Sequence, residues 1–160
     1  ILPGVGAFGA GMQKLHEQDL VDPLRDAIAE GIPYLGICLG MQFLFESSDE
    51  MGEHQGLGIL EGKVTRFPKF DDLKVPHMGW NTLDAEKDSA LLGNLPDNPY
   101  AYFVHSYYCV PDNAEDTLIS VDYGINFTAA VERDNIYGVQ FHPEKSQQVG
   151  LQILKNFLAL

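Results

Sequence analysis

Basic residues are scarce in this chain: ten Lys and Arg stand against 23 Asp and Glu over 160 residues, a formal net charge of −13. Binding along a phosphate backbone needs dense Lys and Arg contacts, so nucleic acid is excluded as the principal partner. Cysteine is nearly absent. Cys38 and Cys109 are the only two, which is no disulfide framework for a chain of this size. A reducing, cytoplasmic setting is therefore expected. No apolar run has the length of a membrane span, and the N-terminus shows no basic region followed by an apolar stretch, so no membrane partner is expected. The five histidines lack metal-ligand spacing, and neither metal nor cofactor is predicted. Repeats, low-complexity tracts and linkers are missing as well, which predicts one domain over residues 1–160.

Glycine and apolar residues are plentiful enough for a packed fold, the hydrophobic share being 45%. Residues 3–11 read as a glycine-rich loop, followed by helical material to about residue 30. Within it Asp22 is the expected N-cap, with Pro23 at the first helical position and Gly31 as the stop. Residues 33–38 read as a buried strand, 39–46 as a short helix, and the polar, acidic stretch 47–55 as a surface loop. Strands are predicted over 58–67, 100–108, 117–123, 127–133 and 136–141, with Asp134-Asn135 as a hairpin turn. Val149, Ile153, Leu154, Phe157 and Leu158 form the stripe of a closing amphipathic helix. Strand–helix units with short loops predict an α/β fold with a mixed, largely parallel sheet flanked by helices. Ile1-Leu2 reads as the end of a strand, so an N-terminal strand–helix stretch is expected to be missing from this sequence.

Chemistry concentrates at Gly36-Ile37-Cys38-Leu39-Gly40-Met41-Gln42. A nucleophile between glycines, on a turn from strand to helix, is the pattern of a nucleophile elbow. At a helix N-terminus the dipole and free N–H groups are expected to favour a thiolate, hence acyl-transfer chemistry. A base and its orienter are offered by Gln140-Phe141-His142-Pro143-Glu144. Pro143 holds His142 extended, so the side chains of His142 and Glu144 project to one side. The oxyanion formed on attack needs N–H donors: Leu39, next to the nucleophile, and Val5 or Gly6 from Pro3-Gly4-Val5-Gly6. That loop alone also fits a simple turn or a phosphate nest, although no lysine follows its glycines. Cys109 reads as a packing residue, and His16 and His54 as solvated.

With both motifs complete, the chain resembles the class I (triad-type) glutamine amidotransferases, whose fold is flavodoxin-like. Pro3-Gly4-Val5-Gly6-Ala7-Phe8, Pro76-His77-Met78-Gly79-Trp80-Asn81 and His142-Pro143-Glu144-Lys145-Ser146 resemble, within that class, the glutaminase subunits of imidazole glycerol phosphate synthase in histidine biosynthesis. The resemblance implies Cys38, His142 and Glu144 as the catalytic triad and L-glutamine as substrate, held by Gln42, Glu50, His105, Ser106 and Tyr107. It further implies a heterodimer with a (βα)8-barrel cyclase subunit that receives ammonia, with His77, Met78, Trp80, Asn81, Tyr102 and Lys145 at the interface. A solvated-loop role for Glu50 and a hydrophobic turn around His77 are the plain alternatives. For the whole chain the alternatives are a glutaminase of another amidotransferase system and a catalytically silent regulatory module.

Overall fold

A computed structural model describes residues 1–160. In chain order the elements are β1 (Leu2–Gly4), α1 (Phe8–Glu17), α2 (Val21–Ala29), β2 (Tyr34–Cys38), α3 (Leu39–Gln42), β3 (Phe45–Ser48), β4 (His54–Gln55) and β5 (Leu60–Arg66). There follow β6 (His77–Thr82), β7 (Asp84–Ala85), β8 (Tyr100–His105), β9 (Tyr107–Pro111), β10 (Thr117–Asp122), β11 (Asn126–Arg133), β12 (Ile136–Val139) and α4 (Gln147–Phe157). Ten strands make one sheet in the order β1-β2-β12-β11-β9-β5-β3-β4, with β10 on β11 and β7 on β10; β6 and β8 form a separate ribbon.

The sheet is mixed, but its parallel share is smaller than the sequence predicts. Only β1–β2, β2–β12 and β3–β5 run parallel, and the remaining pairs are antiparallel. The cause lies in the connections. A parallel return needs a crossover long enough for a helix, which the chain supplies as α1 and α2 between β1 and β2. From β8 to β12 the strands follow one another through short connections. Asp134, at φ 52°, turns β11 back onto β12.

Strand β2 is buried at all five positions, which is why it shows no polar alternation. Apolar side chains collect on both faces of the sheet. Phe8, Met12, Val21, Tyr34, Phe43, Leu60 and Cys109 pack under α1 and α2, while Leu35, Phe103, Val121, Val139, Phe141, Ile153 and Phe157 pack toward α4. Cys109 is thus a core side chain, 1% exposed.

Several boundaries differ from the sequence reading. Helix α1 begins at Phe8, so Gly9 and Gly11 are helical. A Cβ at either would strike a ring, that of His54 or Phe43, and His54 is half-buried rather than solvated. Helix α2 begins at Val21. This puts Asp22 inside the first turn, where a carboxylate favours the dipole, and Pro23 where no helical N–H is needed. Helix α3 ends at Gln42 because Phe45 enters the sheet, and the stretch taken for a loop contributes to β3 and β4. The run over 100–108 breaks at Ser106, sending β8 to the ribbon and β9 to the main sheet. The stripe of α4 ends at Phe157, leaving Leu158 exposed.

Candidate active site

Three parallel strands bring the candidate residues together at their C-terminal ends, where open α/β sheets bind ligands. In register, Gly4 of β1 lies beside Cys38 of β2, and Val139 of β12 lies beside Ile37. The chain therefore delivers Val5-Gly6, Cys38-Leu39 and Gln140–His142 to one place. Cys38 itself has φ 55° and ψ −108°, a left-handed conformation that costs a residue with a side chain about 1–3 kcal/mol. Gly36 and Gly40 are not at positive φ. They are glycines for space: a Cβ at Gly36 would run into the Gly40 carbonyl, and one at Gly40 into the carbonyl of Leu2. The elbow is thus strained at the cysteine and close-packed at the glycines.

A cavity of about 330 Å³ is lined by Val5, Gly6, Cys38, Leu39, Gln42, Glu50, His105, Ser106, Tyr107 and His142, with Pro76 and Val104 added by the structure. That is at the small end of ligand-site volumes, about 300–1,000 Å³. A second cavity of about 390 Å³, between Leu92, Pro99 and Ile119, holds none of these groups. His142 is 4% exposed, and its Nδ1–H donates to Glu144 Oε1 at 2.8 Å. In a neutral imidazole with this bond, Nε2 is the nitrogen left to accept a proton. Ser146 Oγ fixes the turn, donating to the His142 carbonyl at 2.7 Å and accepting from the Tyr102 N–H at 3.0 Å.

The thiol does not behave as the sequence predicts. Burial pushes Cys38 up to about 11, and the nearby Glu144 charge adds to this. The Leu39 N–H, the Gln140 amide and Lys145 oppose it. A helix of four residues has too few aligned dipoles to outweigh desolvation. Burial thus favours the thiol over the thiolate, and its proton must leave as the nucleophile forms.

Polar partners order the cavity wall. Gln42 Nε2 donates to Gln140 Oε1 at 3.0 Å and to the Tyr107 carbonyl at 3.3 Å. Glu50 Oε2 accepts the Phe8 N–H at 2.6 Å, capping α1 from a distant loop while facing the cavity. His105 Nδ1–H donates to the Tyr107 carbonyl at 2.8 Å, so its Nε2 accepts from His77 Nδ1–H at 3.0 Å. Burial holds both imidazoles neutral, pushing His77 down to about 4 and His105 to about 3. Gly6, at φ 101° with no neighbour near a would-be Cβ, leaves its loop unpacked, and Val5 is exposed.

The residues expected at an interface divide. His77 is 2% exposed and lies between the rings of Phe103 and Tyr123, with centroids at 4.8 and 4.0 Å. Its side chain faces inward, and Asn81 is tied to the Asp122 carbonyl at 2.9 Å. Met78 and Trp80 point outward from the ribbon, 62% and 45% exposed. Trp80 packs edge-on against Tyr102 and against Tyr100, which the sequence reading missed although Tyr100 and Tyr102 alternate on one strand face. Lys145 is exposed beside Glu144. Gln140 was missed too. Its signal was a polar amide set between the apolar residues Val139 and Phe141 at the end of a buried strand. No three His, Cys, Asp or Glu side chains converge as metal ligands.

A buried cysteine on a strained turn, facing the cavity of a His–Glu pair at the strand ends of a helix-flanked sheet, defines a class of acyl-transfer proteins. The family described as "Glutamine amidotransferase class-I" matches residues 1–160, and the chain belongs to it. Within that class it belongs with the subunits called "Imidazole glycerol phosphate synthase subunit HisH". The one from Salinibacter ruber is 52% identical over 100% of this chain and 76% of its own length. The one from Aquifex aeolicus is 51% identical over 98% of this chain and 75% of its own. A crystal structure of a glutamine amidotransferase shares the fold at TM-score 0.68 and 21% identity, over 97% of this chain and 76% of that one.

Proposed function

We propose that this chain, as a single domain, is the glutaminase subunit of an imidazole glycerol phosphate synthase, hydrolysing L-glutamine to glutamate and ammonia through a thioester on Cys38. The observation that carries the reading is the shared cavity of Cys38 and His142, with Glu144 bonded to the far nitrogen of the imidazole. As the sulfur attacks the carboxamide carbon, its proton passes to His142 Nε2. The oxyanion is received by the Leu39 N–H and by an N–H of Val5 or Gly6. The imidazolium returns its proton to the departing nitrogen, the C–N bond breaks, and ammonia leaves. Water then gives a proton to His142 and attacks the thioester. Glutamate departs, and the sulfur is reprotonated.

Substrate positioning follows from the same wall. Glu50 places a carboxylate for the α-ammonium group, Ser106 and Tyr107 supply polar groups for the α-carboxylate, and the Gln42 oxygen remains free for the substrate. His105 contributes shape, since both ring nitrogens are already engaged. The partner of this reading is a (βα)8-barrel cyclase in a cytoplasmic heterodimer, making imidazole glycerol phosphate and an aminoimidazole carboxamide ribonucleotide. Its seat is the outer face of the ribbon, with Met78, Trp80, Tyr100, Tyr102 and Lys145. Pro76 and Val104 belong to both the ribbon region and the cavity wall, so ammonia released there emerges beside the partner. The cavity chemistry needs no cofactor.

The test is glutamate release from glutamine by the protein alone, with the cyclase subunit, and with that subunit plus its nucleotide ligand. Release that requires the liganded partner and vanishes in Cys38→Ala is expected. Partner-independent release would overturn the assigned assembly, and no release from the folded complex would overturn the glutaminase reading.

A further inference from the structure

One buried polar side chain at the site has no place in the triad. Gln140 is 0% exposed and lies two residues before His142. Its amide is engaged at both ends, with Oε1 accepting from Gln42 Nε2 at 3.0 Å and Nε2 donating to Cys38 Sγ at 3.6 Å. The direction of this chain is dictated by its far end. The Tyr107 carbonyl can only accept, so the Gln42 group 3.3 Å from it is the NH₂. The same NH₂ faces Gln140, which must answer with its oxygen and turn its own NH₂ to the sulfur. Either amide reversed would set oxygen against oxygen or nitrogen against nitrogen in a dry interior, where an unmade hydrogen bond is costly.

We propose that Gln140 is a further catalytic residue of the glutaminase, the side-chain donor that orients the Cys38 sulfur and carries part of its negative charge as the thiolate forms. The proposal rests on the glutaminase reading. It explains why a completely buried amide stands at the end of β12, where an apolar residue would otherwise continue the core. The Leu39 N–H is the other nearby hydrogen-bond donor that favours a charged sulfur, and the same N–H must serve the oxyanion once the carbonyl is attacked. Gln140 keeps its hold on the sulfur through that step.

The test uses two variants in the complex with the cyclase subunit. Gln140→Met and Gln140→Leu both remove the donor without adding a charge beside the sulfur, the first keeping the side-chain length. Readouts are kcat and KM for glutamine, and the pH dependence of iodoacetamide alkylation at Cys38, followed on its peptide. The expected result in each folded variant is a fall in kcat of about 10- to 100-fold with KM within about threefold. The alkylation midpoint should move upward. A kcat and midpoint within about twofold of wild type would overturn the proposal, as would a fall in kcat with an unmoved midpoint, which is what a merely structural role produces. If one variant fails to fold, the other decides. Wild-type protein without Cys38-dependent glutamate release would sink the glutaminase reading instead, while the alkylation midpoint would still report the hold of Gln140 on the sulfur.

Discussion

At the scale of single residues, strain and burial meet at Cys38. Its φ of 55° is held by the strands on either side rather than by the residue's own preference. Replacing it tests where the strain lies. Cys38→Gly should be more stable than Cys38→Ala by about 1 kcal/mol, since relief of the left-handed φ outweighs the added chain entropy of glycine. Thermal denaturation of the two variants measures this, and equal stability would place the strain elsewhere. The His77–His105 pair gives a second residue-scale prediction. Both imidazoles are depressed by burial, to about 4 and about 3, so both are neutral in the fold and take up protons on unfolding. Their contribution is present above the ordinary histidine range, about 6.5, and is lost as pH falls toward about 4. His77→Phe keeps an aromatic between Phe103 and Tyr123 but does not titrate. It should be less stable than wild type at pH 7 by about 1–3 kcal/mol, and the gap should narrow at pH 5 in urea melts.

At the scale of elements, the elbow depends on close approach of β1, β2 and α3. A methyl at Gly40 would overlap the Leu2 carbonyl, so Gly40→Ala should cost about 3 kcal/mol or more by overpacking. It should also displace the oxyanion loop, so that circular dichroism and glutamate release fall together; a stable, active Gly40→Ala would refute this packing account. The elbow and the His-x-Glu pair were legible in the sequence because each is a local device. Three residues about a Pro, or a glycine-bounded turn, set their own geometry through neighbouring φ and ψ. The hairpin at Asp134-Asn135 was legible for the same reason. The break at Ser106 was not: nothing in the run over 100–108 interrupts its strand propensity, and it divides because β8 and β9 find partners in different sheets. Nor was the end of α3, which is decided by the capture of Phe45 at β5.

At the scale of the whole molecule, the ribbon β6–β8 stands apart from the main sheet and presents Trp80 with Tyr100 and Tyr102 on its outer face. A half-exposed Trp in an aromatic patch is the residue type that anchors interfaces. Trp80→Ala should therefore weaken cyclase binding by about 2 kcal/mol, near 30-fold, in isothermal titration, with the thermal stability of the free chain little changed. Unaltered affinity would remove this face from the interface. The high thiol pKa and the unpacked Val5-Gly6 loop together describe a resting site. Under the proposed function, a partner that ordered this loop would supply the second oxyanion donor, so the chain alone is predicted to release glutamate far more slowly than the complex.

Chemistry at this site is carried by residue types in local patterns: a cysteine between glycines, a histidine two positions from a glutamate, a glycine-rich loop after a short strand. Those patterns are settled by bonded neighbours, so the sequence by itself determined which groups are the candidates for a triad, and hence the class of reaction proposed. Only the tertiary structure decided how those groups are tuned. The thiol is raised because residues distant in the chain bury it, and His77 turns inward because β6 pairs with β8. Glu50 caps a helix 42 residues away, and Gln140 meets the sulfur across 102 positions. Burial, protonation and long-range hydrogen bonds are properties of who is packed against whom, and no local pattern encodes them.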